Sequence, residues 1–327
     1  MWFDALARVP SLAFAIAVAC TAPILLLAHP AAAVSFTWAT VGDPGNAADT
    51  NGLGAVASTY RIAVKEATNA QYVDFLNAVA ATDTNALYNT SMAFGFGGIL
   101  RAGSSGSFSY SVRPGRGEMP VNFVSFEDAM RFTNWLSNGQ LMGAQDATTT
   151  EDGAYTITPA GLAANTIVRN PGASLFLPTE DEWYKAAHYE AISMSYLNFP
   201  TSSDVAPTCA APTGAANHAN CDDVVGDLTD AGSYPGSASP YGTLDQAGNV
   251  REWNETIESV LFRGAGGGGF QAPISELEKT KLVEFLPTEE TLDLGFRVAS
   301  LPEPGTGALL VAGLAAAGFA ARRRHGD

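Results

Sequence analysis

SPYGTLDQAGNVREW, Ser239 to Trp253, is the stretch that organises this chain. Gly242 and Gly248 allow backbone angles that other residues resist, so the chain folds back on itself here. Asp245, Asn249 and Glu252 set three side-chain oxygen groups within eight residues, and Tyr241 and Trp253 supply apolar weight to bury the loop. Such a loop enters a core only when something satisfies its polar groups. Hard oxygen ligands from Asn249 and Glu252, with the backbone carbonyl of Val250, suit Ca²⁺. A turn held by side-chain-to-backbone hydrogen bonds explains the same residues, and the two readings stand side by side.

Outward from this loop, more motifs follow in fixed order. Leu177-Pro178-Thr179-Glu180-Asp181-Glu182-Trp183 precedes it; Arg263-Gly264 and Gly295-Phe296-Arg297-Val298 come after. With Tyr241-Gly242 and Ala247 to Trp253, the series resembles the formylglycine-generating enzyme, or sulfatase-modifying factor, domain over about Phe36 to Ser300. One such motif is weak; five in order are specific. The resemblance implies an irregular α+β, C-type-lectin-like fold with short strands, few helices and long loops. It also implies structural calcium near the Asn249 loop, and a second ion near an upstream Asn, here Asn217.

The resemblance does not carry the activity with it. In catalytic members, two cysteines between the Arg-Gly-Gly and Gly-Phe-Arg segments bind copper and oxidise a substrate cysteine. From Arg263 to Gly295 this chain has no cysteine. A thiolate is the required copper(I) ligand, and no other side chain replaces it. A second branch, the iron-dependent sulfoxide synthases, relies on a histidine triad. Apart from His29 near the N-terminus and His325 in the tail, only His188 and His218 are present. Neither copper nor iron is therefore expected, and no catalytic residue is assigned.

Arg263-Gly264-Ala265-Gly266-Gly267-Gly268-Gly269-Phe270 departs from the family's Arg-Gly-Gly-Ser-Trp. Consecutive glycines suggest backbone packed closely, or a flexible floor to a cleft. Without a Gly-Lys-Ser/Thr or a strand–Gly-x-Gly-x-x-Gly–helix setting, nucleotide binding is a weak reading. Glu180 and Glu182 read either as paired acids for sugar chemistry or, more simply, as a helix start: Glu182 completes a capping box and Glu180 suits the helix dipole. Arg297 is expected to pair with a buried acid. Trp135, Trp183 and Trp253 are expected in the core.

The chain carries 17 Lys+Arg against 33 Asp+Glu, a net charge of −16. That argues against nucleic acid and anionic lipid as partners. Of three cysteines, Cys20 lies in an N-terminal leader; Cys209 and Cys221 are expected to form a disulfide closing a short loop. Arg8, the apolar run Leu12 to Leu27 and Ala31-Ala32-Ala33 read as a secretory signal peptide over 1–33. Pro302-Glu303-Pro304, an apolar run from Gly305 to Ala321 and Arg322-Arg323-Arg324 resemble the PEP-CTERM sorting signal of Gram-negative bacteria over 302–327. That resemblance implies export, transient anchoring in the inner membrane, processing by exosortase and delivery to the cell surface or extracellular matrix. The plain alternative is a C-terminal transmembrane anchor.

Between these signals, 34–301 is the domain. Thr68 with Gln71, Ser125 with Asp128 and Thr179 with Glu182 predict three helix starts, and Asn138-Gly139 ends the second helix. Met142 to Asn170 reads as a hairpin with polar turns. The expected function is binding or scaffolding toward a polysaccharide or another exported protein. An oxidoreductase or other protein-modifying enzyme acting by an unrecognised site is the alternative, and a purely structural matrix protein a third reading.

Overall fold

The computed structural model describes residues 33–302. The leader, Glu303, Pro304 and the C-terminal apolar segment lie outside the described residues. Among the described residues no helix is long and apolar enough to cross a membrane.

All three capping boxes are present, each with its reciprocal pair of hydrogen bonds. They start α1 (Asn69–Val79), α2 (Phe126–Ser137) and, later in the chain, α4 (Glu180–His188). Asn138 ends α2, and Gly139 follows with φ +74°. The apolar faces of α1 and α2 meet in one aromatic cluster. Phe132 contacts Tyr72, Phe75, Trp135 and Phe296, with ring centroids 5.2–6.0 Å apart. Burying each such side chain contributes about 1.5–3 kcal/mol.

Four short strands build the first sheet: β1 (Trp38–Val41), β2 (Tyr60–Ala63), β5 (Leu175–Phe176) and β14 (Ala299–Ser300). Their order is β1-β2-β14-β5, all antiparallel, so the last strand sits between two earlier ones. The second sheet holds β10 (Arg251–Ile257), β11 (Arg263–Gly266), β12 (Val283–Phe285) and β13 (Leu294–Phe296), in the order β12-β11-β10-β13. Only β10 and β13 run parallel there. The quoted loop therefore feeds straight into the central strand β10. Helix α4 lies against β10 and β11, and α2 against β5 and β10. Trp135, Trp183 and Trp253 are all buried.

Three small pairs decorate this frame: β3 (Ile99–Ala102) with β4 (Ser109–Val112), β6 (Tyr189–Glu190) with β7 (Ser195–Tyr196), and β8 (Thr208–Cys209) with β9 (His218–Ala219). The Met142–Asn170 segment departs from the expected hairpin. A single bridge joins Tyr155 to Arg169, and between them runs a short helix, α3 (Pro159–Ala163). Thr158 caps that helix and Pro159 occupies its first turn, where a missing N–H costs nothing.

Candidate functional site

The parallel pairing of β10 with β13 sets Glu252 opposite Gly295, two residues before Arg297. Arg297 Nε donates to Glu252 Oε2 at 2.5 Å, and a second guanidinium nitrogen donates to Oε1 at 2.5 Å. The Trp183 indole N–H also donates to Oε2, at 2.7 Å. The remaining guanidinium hydrogens reach the carbonyls of Ala63, Val64 and Leu244. Arg297 thus meets the buried acid expected of it, and that acid is Glu252. The ion pair is wholly buried.

Around this pair the loop's other polar groups are also engaged. Asn249 has φ +62°; its Oδ1 accepts from the Thr229 N–H at 3.0 Å, and its Nδ2 donates to Glu66 Oε1 at 3.0 Å. Asp245 accepts from the Gly232 N–H. The Val250 side chain packs with Leu228 and Phe270. Asn217 belongs to a different set: its Oδ1 accepts from the Thr201 hydroxyl at 2.6 Å, and its Nδ2 donates to the carbonyls of Val205 and Ala206. The side-chain oxygens of Asn249, Glu252 and Asn217 thus each accept from separate protein donors. Among the described residues, no group of three or more His, Cys, Asp or Glu side chains is arranged to hold a metal ion.

Burial pushes Asp245 up to about 6 and Glu66 well above the usual carboxylate range; each is raised by a second carboxylate and held down in part by Arg297. Glu66 and Asn249 lie 183 residues apart in sequence, and no local pattern links them.

The interval that carries cysteines in oxidase relatives is filled here by packing. A Cβ on Gly266 would come within 2.9 Å of the Trp183 ring, and one on Gly268 within 2.5 Å of the Leu277 side chain. The glycine run is thus a close-approach surface. Phe270 is buried against Phe96, with ring centroids 5.0 Å apart. Arg251 bonds both Glu276, at 2.5 Å, and Asp293. Cys209 and Cys221 are disulfide-bonded, with Cα atoms 5.0 Å apart. His188 is buried and pushed down to about 3 by burial, so it is neutral; its Nδ1 lies 3.1 Å from the Leu197 carbonyl.

Glu182 and Glu180 part company. Glu182 caps α4 and pairs with Arg169 at 2.7 Å. Glu180 lines a cleft of about 310 Å³ together with Glu258, Glu284 and Lys279. Its own N–H donates to Thr256 Oγ1 at 2.9 Å, which fixes the start of α4 onto β10. Burial raises Glu180 to about 7, helped by Glu258 and Asp181. Burial and Glu284 raise Glu258 as well. Lys279 does not neutralise this wall freely, because it pairs with Asp49 at 2.8 Å. Sequence reasoning singled out Glu180 but neither Glu258 nor Glu284, which reach the cleft through the pairing of β11 with its neighbours. A larger groove, about 540 Å³, is bounded by Trp38, Leu136 and Leu175 near both ends of the described residues. Among the described residues, no carboxylate lines it.

Comparison with known proteins now gives this arrangement a context. Residues 49–301 match the model of the sulfatase-modifying factor enzyme 1-like domain, and residues 300–324 match the PEP-CTERM protein-sorting motif. No curated protein matches the chain. Solved structures that resemble it include the following two. The crystal structure of CarF has a TM-score of 0.54 at 22% identity, covering 82% of this chain and 99% of that one. Treponema denticola variable protein 1 has a TM-score of 0.51 at 17% identity, covering 82% and 96%. At these identities the likeness speaks for the fold, which is the irregular C-type-lectin-like fold of the formylglycine-generating-enzyme group.

Proposed function

The chain belongs to the sulfatase-modifying factor enzyme 1-like family, and on that premise we propose that it is a binding or scaffold domain of the bacterial surface or extracellular matrix, without an oxidase centre. Its sorting motif implies export from a Gram-negative cell, membrane-anchored sorting and processing by exosortase. The ligand is an extracellular polysaccharide or another exported protein. Variable loops on a rigid frame suit such a role, and a shared fold does not fix chemistry.

One observation carries the reading. The interval Arg263–Gly295 has no thiol to hold copper, and its place is taken by packed glycines, Phe270 and the Arg251 bridges to Glu276 and Asp293. The competing reading, an enzyme acting on a peptide side chain, is favoured by Glu180, whose raised value in a cleft is characteristic of acid–base groups. Elemental analysis of the exported protein, with a cysteine-peptide oxidation assay, separates the two. The expected result is copper and iron at trace level, no aldehyde product, and retention on extracellular polysaccharide. Stoichiometric copper or iron with peptide turnover would move the protein to the enzyme class. The absence of any saturable ligand would leave the structural reading.

A further inference from the structure

The larger groove lies on the outer face of the first sheet, and strand register builds it. Ser300 of β14 sits opposite Arg61 of β2 on one side and Leu175 of β5 on the other. Directly paired residues share a face, so these three form one row. The neighbouring row, Ile62, Ala299 and Phe176, faces the other way and is buried in the core. Trp38 extends the outer face, two residues before Thr40, which pairs with Arg61. Arg61 ties the face together. Its Nε donates to Ser300 Oγ at 3.1 Å, and its guanidinium carbon lies 5.3 Å from the Trp38 ring centroid.

This face differs from the rest of the surface in two ways. It stays apolar past its edges: Leu301 is 43% exposed, and Leu141 and Met142, which follow the lining residue Gln140, are 52% and 81% exposed. Single exposed apolar residues are ordinary, whereas a set rimmed by polar groups marks a contact surface. The chain also carries a net charge of −16, yet Arg61 is the one charged side chain among the described residues lining the groove.

Chain length decides what covers it. Pro302 lines the groove, and the apolar run Gly305 to Ala321 begins three residues later. Three extended residues span at most about 10 Å, and each headgroup layer of a bilayer is about 5–8 Å thick. While that run spans the inner membrane, as the sorting motif implies, the groove cannot stand clear of the lipid surface. A half-buried Trp and an Arg on an apolar face are the side chains that settle at that depth.

We propose that the groove face docks on the outer leaflet of the inner membrane while the chain is anchored, with Trp38 and Leu301 entering the headgroup layer and the Arg61 guanidinium meeting lipid phosphate. The acidic body disfavours anionic headgroups, so the partner is a zwitterionic phospholipid surface. The inference rests on the anchored stage of export described above and adds the orientation of the domain on the membrane.

The test places the exported, unprocessed protein in phosphatidylcholine nanodiscs containing lipid brominated near the headgroup end of the acyl chain, and reads tryptophan fluorescence. Trp135, Trp183 and Trp253 are buried, so the difference between the parent and Trp38→Phe reports Trp38. Brominated lipid is expected to quench the Trp38 signal by roughly half. Leu141→Ser with Met142→Ser should reduce that quenching about twofold at an unchanged thermal midpoint, since both side chains are exposed. Protein held in the nanodisc with Trp38 unquenched would overturn the docking and leave the anchoring intact. An unquenched Trp38 that is also shielded from acrylamide would assign the groove to a second copy or to the chain's own tail, and overturn the lipid partner. Protein that does not stay with the nanodisc would overturn the anchored stage and this inference with it.

Discussion

Arg297 grips Glu252 with two guanidinium nitrogens, each 2.5 Å from a carboxylate oxygen, and neither side chain touches solvent. Removing one partner strands a buried charge. Arg297→Ala is expected to cost about 3–5 kcal/mol. Replacing both residues by Met often rescues a simple buried pair. It will not do so here, because the carbonyls of Ala63, Val64 and Leu244 and the Trp183 N–H also lose partners. Urea unfolding of the single and double variants checks this; full recovery in the double variant would show that the pair acts alone.

Acidification is expected to stabilise the protein between about pH 8 and pH 5. Asp245 is raised to about 6 and Glu180 to about 7, both above their unfolded values. A carboxyl raised on folding contributes stability below its unfolded pKa and loses it as pH rises through the folded one. The thermal midpoint should therefore fall from pH 5 to pH 8, and Asp245→Asn should flatten part of that slope. A midpoint that rises across this window would contradict the assignment.

Gly266→Ala brings a methyl group within 2.9 Å of the Trp183 ring and 3.0 Å of Leu282. Overpacking of this kind costs about 1–3 kcal/mol. Gly42→Ala, with nothing within 4 Å, is the matched control and should be near neutral. Equal midpoints for the two variants would mean that the glycine run is slack.

Chelation is expected to leave the thermal midpoint in place, since the oxygens of Asn249 and Glu252 already have protein donors. An ion bound at ~100 times its Kd would add about 2.7 kcal/mol, enough for a drop of roughly 5–10 °C on removal. Such a drop, reversed by calcium alone, would bear out the cation reading of the loop.

The disulfide closes a loop with a sequence separation of 12. Cys209→Ser with Cys221→Ser should cost about 3 kcal/mol through the freed unfolded chain. Limited proteolysis is expected to cut first between these positions, where the chain is largely irregular. Resistance equal to the parent would show that the loop is held by other contacts.

Sequence revealed what is encoded locally. Thr68, Ser125 and Thr179 announce their helices because a capping box needs only four neighbouring residues. The partner of Arg297 was legible in kind but not in identity. The loop around Glu252 reads as calcium ligands or as a hydrogen-bonded turn, neither of which points to Arg297, and only the parallel register of β10 with β13 brings Glu252 to it. The same limit hid the cleft. Gly264 meets Glu284 across a strand pair, and nothing in the local pattern fixes that register. The Met142–Asn170 segment reads as a hairpin because its polar residues suit turns, while Thr158 and Pro159 start a short helix there.

The position of β14 sets a condition on maturation. Ala299 and Ser300 are hydrogen-bonded between two other strands, and the Leu301 N–H still donates to the Ser174 carbonyl. The sorting motif begins at residue 300. The folded body and the address label therefore overlap without a spacer. A processing enzyme that grips only from Pro302 onward works flush against a finished domain. One that needs even two residues more must first peel away an interior strand, so the order of folding and trimming would govern how much protein is released.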